Sequence, residues 1–372
     1  MENGDEFGFS VDLDGDTAVV GSYRASAAAD ESGAVYVYVN SGGTWSQQAK
    51  IAPADGARRD FFGLNVAISG DTMLTGSYRD GDQGTAAGSA YVYVRTGTTW
   101  ALQQKLFAND AAARDRFGNA VALAGDTAVI SAPAQDDPVQ DAGAIYIFTR
   151  SGTTWTQQAK LRASNADVGS RDFVGNQVAL SSDGLTAVAA SPLDDDAGDA
   201  SGSVYVFFFN GASWGRQAKL TASDAAAGDE FGRRVDIDGD TIVVGASGKD
   251  SAKGAAYVFT RVGTTWSQEA KLTASDGAAG NEFGRGVAVS GDNIVVGSYL
   301  DDDGGADAGS VTIFTRDGTT WTEEGKLGPS GDPTGDFFGR SVSLQGSSLV
   351  VGAYGEPNRN EKGEAYILTC PF

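Results

Sequence analysis

The stretch Asp229–Ser247, DEFGRRVDIDGDTIVVGAS, decides how the chain folds. Gly232 to Ile237 alternates, with Val235 and Ile237 on one side, as a half-buried strand does. Gly239-Asp240 is turn chemistry, because both residues tolerate positive φ. Thr241 to Gly245 is a short apolar run. Beyond it, a loop of Gly, Asp and Lys runs to Gly254, and Ala255 to Phe259 is a β-branched and aromatic segment. The turn Val262-Gly263-Thr264 then leads into Trp266 to Leu272. These are four short strands, A to D, separated by turn residues. No segment keeps a helical period over three turns.

The unit recurs along the whole chain. Its Phe-Gly step appears at Phe7-Gly8, Phe62-Gly63, Phe117-Gly118, Phe231-Gly232, Phe283-Gly284 and Phe338-Gly339, with a degraded copy at Val174-Gly175. The spacings are 55, 55, 57, 57, 52 and 55 residues. Four strands per unit at this period is the signature of a β-propeller blade. The chain therefore reads as all-β, one seven-bladed propeller domain over residues 1–372, with repeats at approximately 5–53, 54–108, 109–163, 164–222, 223–274, 275–328 and 329–372. Strand D is counted six times only. Trp45, Trp100, Trp155, Trp214, Trp266 and Trp321 each open one, and each is followed five residues later by a lysine, from Lys50 to Lys326. The last unit ends after strand C, with no outer strand, so either the ring closes with a three-stranded blade or a piece of chain is absent here. An exposed edge is the expected state of the three-stranded blade, and strand addition from another chain is the alternative. Glu361, Lys362, Glu364 and Pro371 lie near that edge and blunt it.

Composition bounds the function. No 18-residue apolar run is present, so no membrane insertion is expected. Met1 to Asp5 has neither a basic start nor an apolar stretch, and no signal peptide is read there. A net charge of −22 repels phosphate backbones, which argues against nucleic acid and favours cationic partners. Histidine is absent, which removes Ser-His-Asp and Cys-His catalysis and His-ligated zinc. No isolated acidic pair stands out from the repeat pattern, and the chain is not expected to be an enzyme. The single cysteine, Cys370, excludes an internal disulfide.

Asp229 to Ser247 resembles an FG-GAP repeat, the unit of the integrin α-subunit propeller and of many bacterial and algal surface proteins. The second half of the motif stands here as Gly21-Ser22-Tyr23, Gly76-Ser77-Tyr78, Ser131-Ala132-Pro133, Ala190-Ser191-Pro192, Gly245-Ala246-Ser247, Gly297-Ser298-Tyr299 and Gly352-Ala353-Tyr354. The resemblance is closest to the short-loop microbial variety. It implies a recognition or adhesion propeller, outside the cytoplasm or at the cell surface. Integrin-type repeats hold calcium between strands A and B through a D-x-D-x-D-G-x-x-D pattern. Here that turn is short, and only Asp12 to Asp16 and Asp236 to Asp240 are acidic. Calcium needs six to eight oxygens, so the turn reading is preferred and that metal site is not carried over.

The two faces of such a disc should differ. The D-to-A and B-to-C loops share one face and are acidic. An acid or amide precedes each Phe-Gly step by two residues, from Asp5 to Asp336, and a second acid usually lies upstream: Asp55, Asp110, Asp167, Asp224, Asp276 and Asp332. Such aspartates are expected to hold the loop by accepting backbone N–H bonds. The sharper alternative is calcium between loops, at Asp194, Asp195, Asp196 and Asp199 and at Asp301, Asp302, Asp303 and Asp307. The opposite face carries Arg95, Arg150, Arg261 and Arg316 beside its turns. The six tryptophans read as packing at blade seams with a lysine stem over apolar surface, against a lectin-like reading with one glycan site per blade. A structural subunit of a larger assembly is a third reading.

The repeats disagree at one informative position. The second half of the motif closes on Tyr23, Tyr78, Tyr299 and Tyr354 in units 1, 2, 6 and 7, which a closed ring makes adjacent. Arg24 and Arg79 follow two of these, and Arg285 and Arg340 follow the Phe-Gly step in units 6 and 7. Tyr and Arg are enriched at binding hot spots, so these eight residues are the candidate ligand-binding arc. Local packing, with the arginines paired to nearby acids, is the bland alternative. The expected function is a non-enzymatic module that binds a protein or glycan ligand through the acidic, loop-rich face.

Overall fold

Each repeat folds as one antiparallel sheet whose strands pair in chain order. In unit 5 the strands are Phe231–Asp238, Thr241–Ala246, Ala255–Val262 and Thr265–Leu272, each running one to three residues beyond the segment the sequence marks. The structure, a computed structural model, describes residues 4–164, 169–329, 334–355 and 362–370. Asp167, Asp332, Glu361 and Pro371 lie outside the described residues. There are six four-stranded sheets and one of three strands, so the ring has seven blades. Among the described residues the one helix-like turn, Lys249–Ala252, is left-handed at Asp250, Ser251 and Ala252, with φ of 53°, 62° and 60°.

Strand A is innermost. Residues of strand A from all seven blades line one central channel. Strand B is buried along its whole length in most blades, Thr72–Ser77 being an example. Strand D is the outer, half-exposed edge, and its pairing with strand C shifts register once, as between Val92 and Tyr93. Such a bulge increases local twist, which a fanned blade requires.

The Phe-Gly step is the seam between blades. Phe62, Phe117, Phe231, Phe283 and Phe338 are at most 1% exposed. Phe117 packs with Leu74 and Val92 of blade 2 and with Ile130 and Tyr146 of blade 3. The glycine that follows takes a positive φ, 86° at Gly118. Its carbonyl lies against the preceding blade, where a Cβ on Gly76 would stand within van der Waals radius of Gly118 O. The two halves of the motif thus require each other: Gly76 has no side chain because Gly118 of the next blade sits there.

Blade 7 contains Ser341–Gln345, Ser348–Ala353 and Glu364–Thr369, as its sequence indicates to within a residue. Its last strand has a sheet neighbour on one side only among the described residues. The ring closes by side chains and turns. Ser341 Oγ donates to Gly8 O at 2.9 Å, Ser343 Oγ to Asp12 Oδ1 at 2.8 Å, and Phe7 N to Lys362 O at 3.2 Å.

Candidate functional site

The acidic loops are built around lysines. Lys105 Nζ lies 2.7 Å from Asp55, 2.7 Å from Asp80 and 2.6 Å from Asp82, above the Tyr91 ring. Burial disfavours its charge, but the three carboxylates outweigh this and raise its pKa. Lys219 stands 2.8 Å from Asp194 and 2.5 Å from Asp196, and Lys326 pairs with Asp276, Asp301 and Asp303. The buried carboxylates Asp194 and Asp301 also accept from Ser203 (2.8 Å) and Ser310 (2.5 Å). Asp195, Asp196, Asp199, Asp302 and Asp303 are exposed and Asp307 is half-buried. No group of three or more metal-ligating side chains suited to an ion occurs among the described residues. The lysine five residues after each tryptophan does more than lay its stem on apolar surface: in five blades its ammonium is the counter-ion of the loops.

The aspartates before the Phe-Gly step hold turns. Asp60 Oδ2 accepts Ala57 N at 2.7 Å, and Asp115 and Asp229 make the same bond to Ala112 and Ala226. On the opposite face each arginine is satisfied. Arg95 is 2.6 Å from Asp71, donates to Thr17 of blade 1 at 2.9 Å, and stacks on Trp100. Arg150, Arg261 and Arg316 repeat this with Asp126, Asp240 and Asp292. Trp100, Trp155, Trp266 and Trp321 donate their indole N–H to Gln48, Gln103, Gln217 and Glu269 of the preceding blade. These tryptophans tie blade to blade.

The four tyrosines of the arc are brought together, and three phenylalanines join them. Tyr299 contacts Phe337 (centroids 5.7 Å apart), which stacks on Tyr354 (5.1 Å), which meets Phe9 (5.7 Å). Phe9 meets Tyr23 (4.5 Å), Tyr23 meets Phe61 (5.3 Å), and Phe61 stacks on Tyr78 (5.8 Å). Seven rings form one continuous arc over blades 6, 7, 1 and 2. The four arginines lie on it. Arg24 stands over Tyr23, Arg79 over Phe61 and Tyr78, Arg285 over Tyr299, and Arg340 over Phe9 at 3.5 Å and Tyr354 at 5.1 Å. Tyr23, Phe61 and Arg340 are buried, Tyr78, Tyr299, Tyr354, Arg24 and Arg285 half-buried, and Arg79 exposed. Only part of the bland alternative holds: Arg24 pairs with buried Glu6 at 3.1 Å and Arg285 lies 3.8 Å from Glu282. Burial and the Glu6 charge raise the Tyr23 pKa, so the hydroxyl stays protonated. Sequence reasoning missed Phe61 and Phe337, which stand just before the Phe-Gly step and reach the arc through φ values of 59° and 56°, a left-handed backbone rare outside glycine.

The arc borders the central channel. A cavity of about 190 Å³ at the loop-face mouth is lined by Arg233, Arg234, Arg285 and Arg340, with Asn and Gln residues of blades 2 to 4 opposite. The main channel cavity, about 370 Å³, reaches the acidic turns of the other face, with Asp12, Asp14, Asp236 and Asp238 on its wall. Burial lifts Asp12 to about 6 and Asp236 to about 7, against backbone bonds from Ile68 and Val289 of the next blades. The sequence reading of these turns as hairpins stands, and their aspartates bridge adjacent blades.

Comparison with known proteins agrees with this geometry. Solved structures similar to the chain include a putative 6-phosphogluconolactonase from Bacteroides uniformis, at 12% identity and TM-score 0.57, covering 86% of this chain and 85% of that one. A chain of the mitotic checkpoint complex matches at 15% identity and TM-score 0.60, covering 97% and 89%. Saccharomyces cerevisiae Sqt1 matches at 9% identity and TM-score 0.53, covering 100% and 84%. At such identities the likeness is one of fold alone. No curated protein sequence matches the chain. The FG-GAP repeat model matches seven times, over residues 1–38, 45–93, 100–148, 155–207, 214–259, 266–314 and 321–368. With seven matched repeats in seven blades, the chain belongs to the FG-GAP repeat family.

Proposed function

We propose that the chain is a non-enzymatic recognition module, working outside the cytoplasm or at the cell surface, that engages a protein ligand through its loop-rich face. The observation that carries this is the arc of seven contacting rings with arginines stacked on them. Rings held by their neighbours lose little freedom on binding, and Tyr and Arg dominate binding energy at interfaces. The surrounding acidic loops favour a ligand with cationic groups. The arc also offers faces on which a glycan could stack, whereas the tryptophans are committed to blade seams. FG-GAP propellers are typically non-enzymatic. The loop-face carboxylates Asp55, Asp80, Asp82, Asp194, Asp196, Asp276, Asp301 and Asp303 are committed to lysines rather than poised for acid–base work.

Binding of the labelled chain to intact cells and to a glycan array tests the reading. Tyr78→Ala and Tyr299→Ala are expected to reduce cell binding at least tenfold while the melting temperature moves by only a few degrees. Equal binding by the variants and the parent chain would sink the arc as the surface, and signal on the array alone would favour the glycan. Calcium is proposed as a weak ligand only, through exposed Asp195, Asp199 and Asp302 with Asp307, because ammonium groups already stand at Asp194 and Asp301. Calorimetry should give millimolar affinity at best, with the melting curve unmoved by a chelator. The edge of Glu364–Thr369, which has no outer neighbour among the described residues, is the place where a partner's strand would add.

A further inference from the structure

The Arg233, Arg234, Arg285 and Arg340 side chains converge on the loop-face mouth of the channel with fewer counter-charges than guanidinium groups. Arg233 is 3.5 Å from Glu230 and Arg285 is 3.8 Å from Glu282, both loose pairs. Arg340, buried, gives one hydrogen bond, to Phe9 O at 3.1 Å, and stacks on two rings. Arg234 does neither. Among the described residues its guanidinium has no hydrogen bond, no ion pair and no ring beneath it, and it lines both cavities of the channel. Burial and the charges of Arg340, Arg285 and Arg233 push its pKa well below the usual value. Arg340 is lowered to about 10 by burial and by Arg285. Like charges gathered in a confined mouth repel one another unless something negative stands among them.

The repeat makes this feature stand out. The two positions after the Phe-Gly step are Phe9-Ser10, Leu64-Asn65, Asn119-Ala120 and Asn176-Gln177 in blades 1 to 4. They become Arg233-Arg234, Arg285-Gly286 and Arg340-Ser341 in blades 5 to 7. In blades 2 and 3 the amides are used within the wall: Asn65 Nδ2 donates to Asn119 O at 2.7 Å, and Asn119 Nδ2 to Asn176 O at 3.1 Å. The charged donors open to a guest are those of the arginines, with the neutral amides of Asn176 and Gln177 on the opposite wall. Scaffold needs do not account for Arg234, since Ser, Asn, Ala, Gln and Gly serve at the same position elsewhere.

We infer that this mouth is an anion-binding site for a small oxyanion of at least two charges, of the phosphate or dicarboxylate class, received by the forked guanidinium groups of blades 5 to 7. Guanidinium forks match paired oxygens, and a partly enclosed mouth with Arg340 buried in its wall strengthens each contact. The size of the cavity, about 190 Å³, restricts the guest to a compact group. The inference rests on the channel geometry and not on the recognition arc. Tyr78 and Tyr299 variants report on one and Arg234 variants on the other, so either can fail alone.

The test uses the full chain at fixed ionic strength, with chloride exchanged for inorganic phosphate, sulfate or succinate. Calorimetry should show binding of at least one of these, and the tetrahedral and dicarboxylate arms separate the two sources of charge. Arg234→Gln should weaken that affinity at least tenfold, with Arg234→Lys falling between. In chloride alone the same R234Q variant should melt at or above the parent temperature, because a repulsive, unpartnered charge has gone. No anion-specific heat or melting shift in the parent chain overturns the proposal. Equal anion affinity in parent and R234Q also overturns it, and so does a melting temperature of R234Q clearly below the parent in chloride, which would make Arg234 a structural residue.

Discussion

The two ends of the central channel carry opposite charge, and they handle it differently. At the turn face, Asp12 accepts from Ile68 N, Leu13 N and Ser343 Oγ at 2.8–2.9 Å, and Asp236 accepts from Val289 N and Ile237 N. At the loop face, Arg234 has no partner among the described residues and Arg340 donates to a single carbonyl. Partial burial is shared by Asp12, Asp236 and Arg234, and satisfaction is not. Charge that is fully bonded within the chain is part of the scaffold, whereas charge left with open donors is available to a ligand.

The largest effect should come from damaging what both ends share. Phe117→Ala removes a fully buried seam ring and should cost about 3–5 kcal/mol, read from chemical denaturation. A loss under about 1 kcal/mol would mean that the seams are not what holds the channel in shape. At the turn end, Asp12→Ala leaves Ile68 N and Ser343 Oγ without an acceptor and should cost about 2–4 kcal/mol. If Arg234→Gln proved as damaging, the contrast between the ends would fail.

The pH response sharpens the contrast. Asp12 and Asp236 titrate at about 6 and 7 in the folded chain because burial disfavours their charge. Their ordinary value, 3.8, is the unfolded reference. The folded state therefore holds extra protons between these values. The stability this contributes is complete below the unfolded pKa and is lost as pH rises through 6 to 7. The double variant D12N/D236N should show a shallower fall in melting temperature from pH 5 to 8 than the parent chain. Parallel curves would place the titration elsewhere. In the other direction, Asp224 is held at about 2, where Lys271 and the Tyr257 hydroxyl outweigh a burial that would raise it. That stability is present above the unfolded pKa and is lost as pH falls towards 2.

The fold was legible because its signals repeat: Phe-Gly and Gly-Asp recur in phase, and seven weak strand patterns reinforce one another. The tyrosine arc was legible for the opposite reason, since a residue that varies within a fixed phase is released from the scaffold. Phe9, Phe61 and Phe337 escaped notice because each adjoins the motif and reads as part of it. Lys105, Lys219 and Lys326 were read by their stems, and nothing local shows that an ammonium will meet a loop 23 residues back in sequence. Arg234 hid in plain charge. Only comparison with Ser10, Asn65, Ala120, Gln177, Gly286 and Ser341 at the same phase marks it as exceptional.

Every blade is a contiguous piece of chain, and six of the seven seams join repeats that are neighbours in sequence. The seventh joins residues some 330 apart, as in the bond from Gly15 N to Gln345 Oε1. Loop closure over that span costs about 1.6 kcal/mol more than over one repeat, and among the described residues no strand is exchanged between blades 7 and 1 to offset it. The ring therefore has a clasp: during folding this seam should form last, and in the native state it should breathe most. Amide exchange at Gly15 should outpace that at Gly70, Gly125, Gly291 and Gly346, which make the equivalent turn-to-turn bond at other seams.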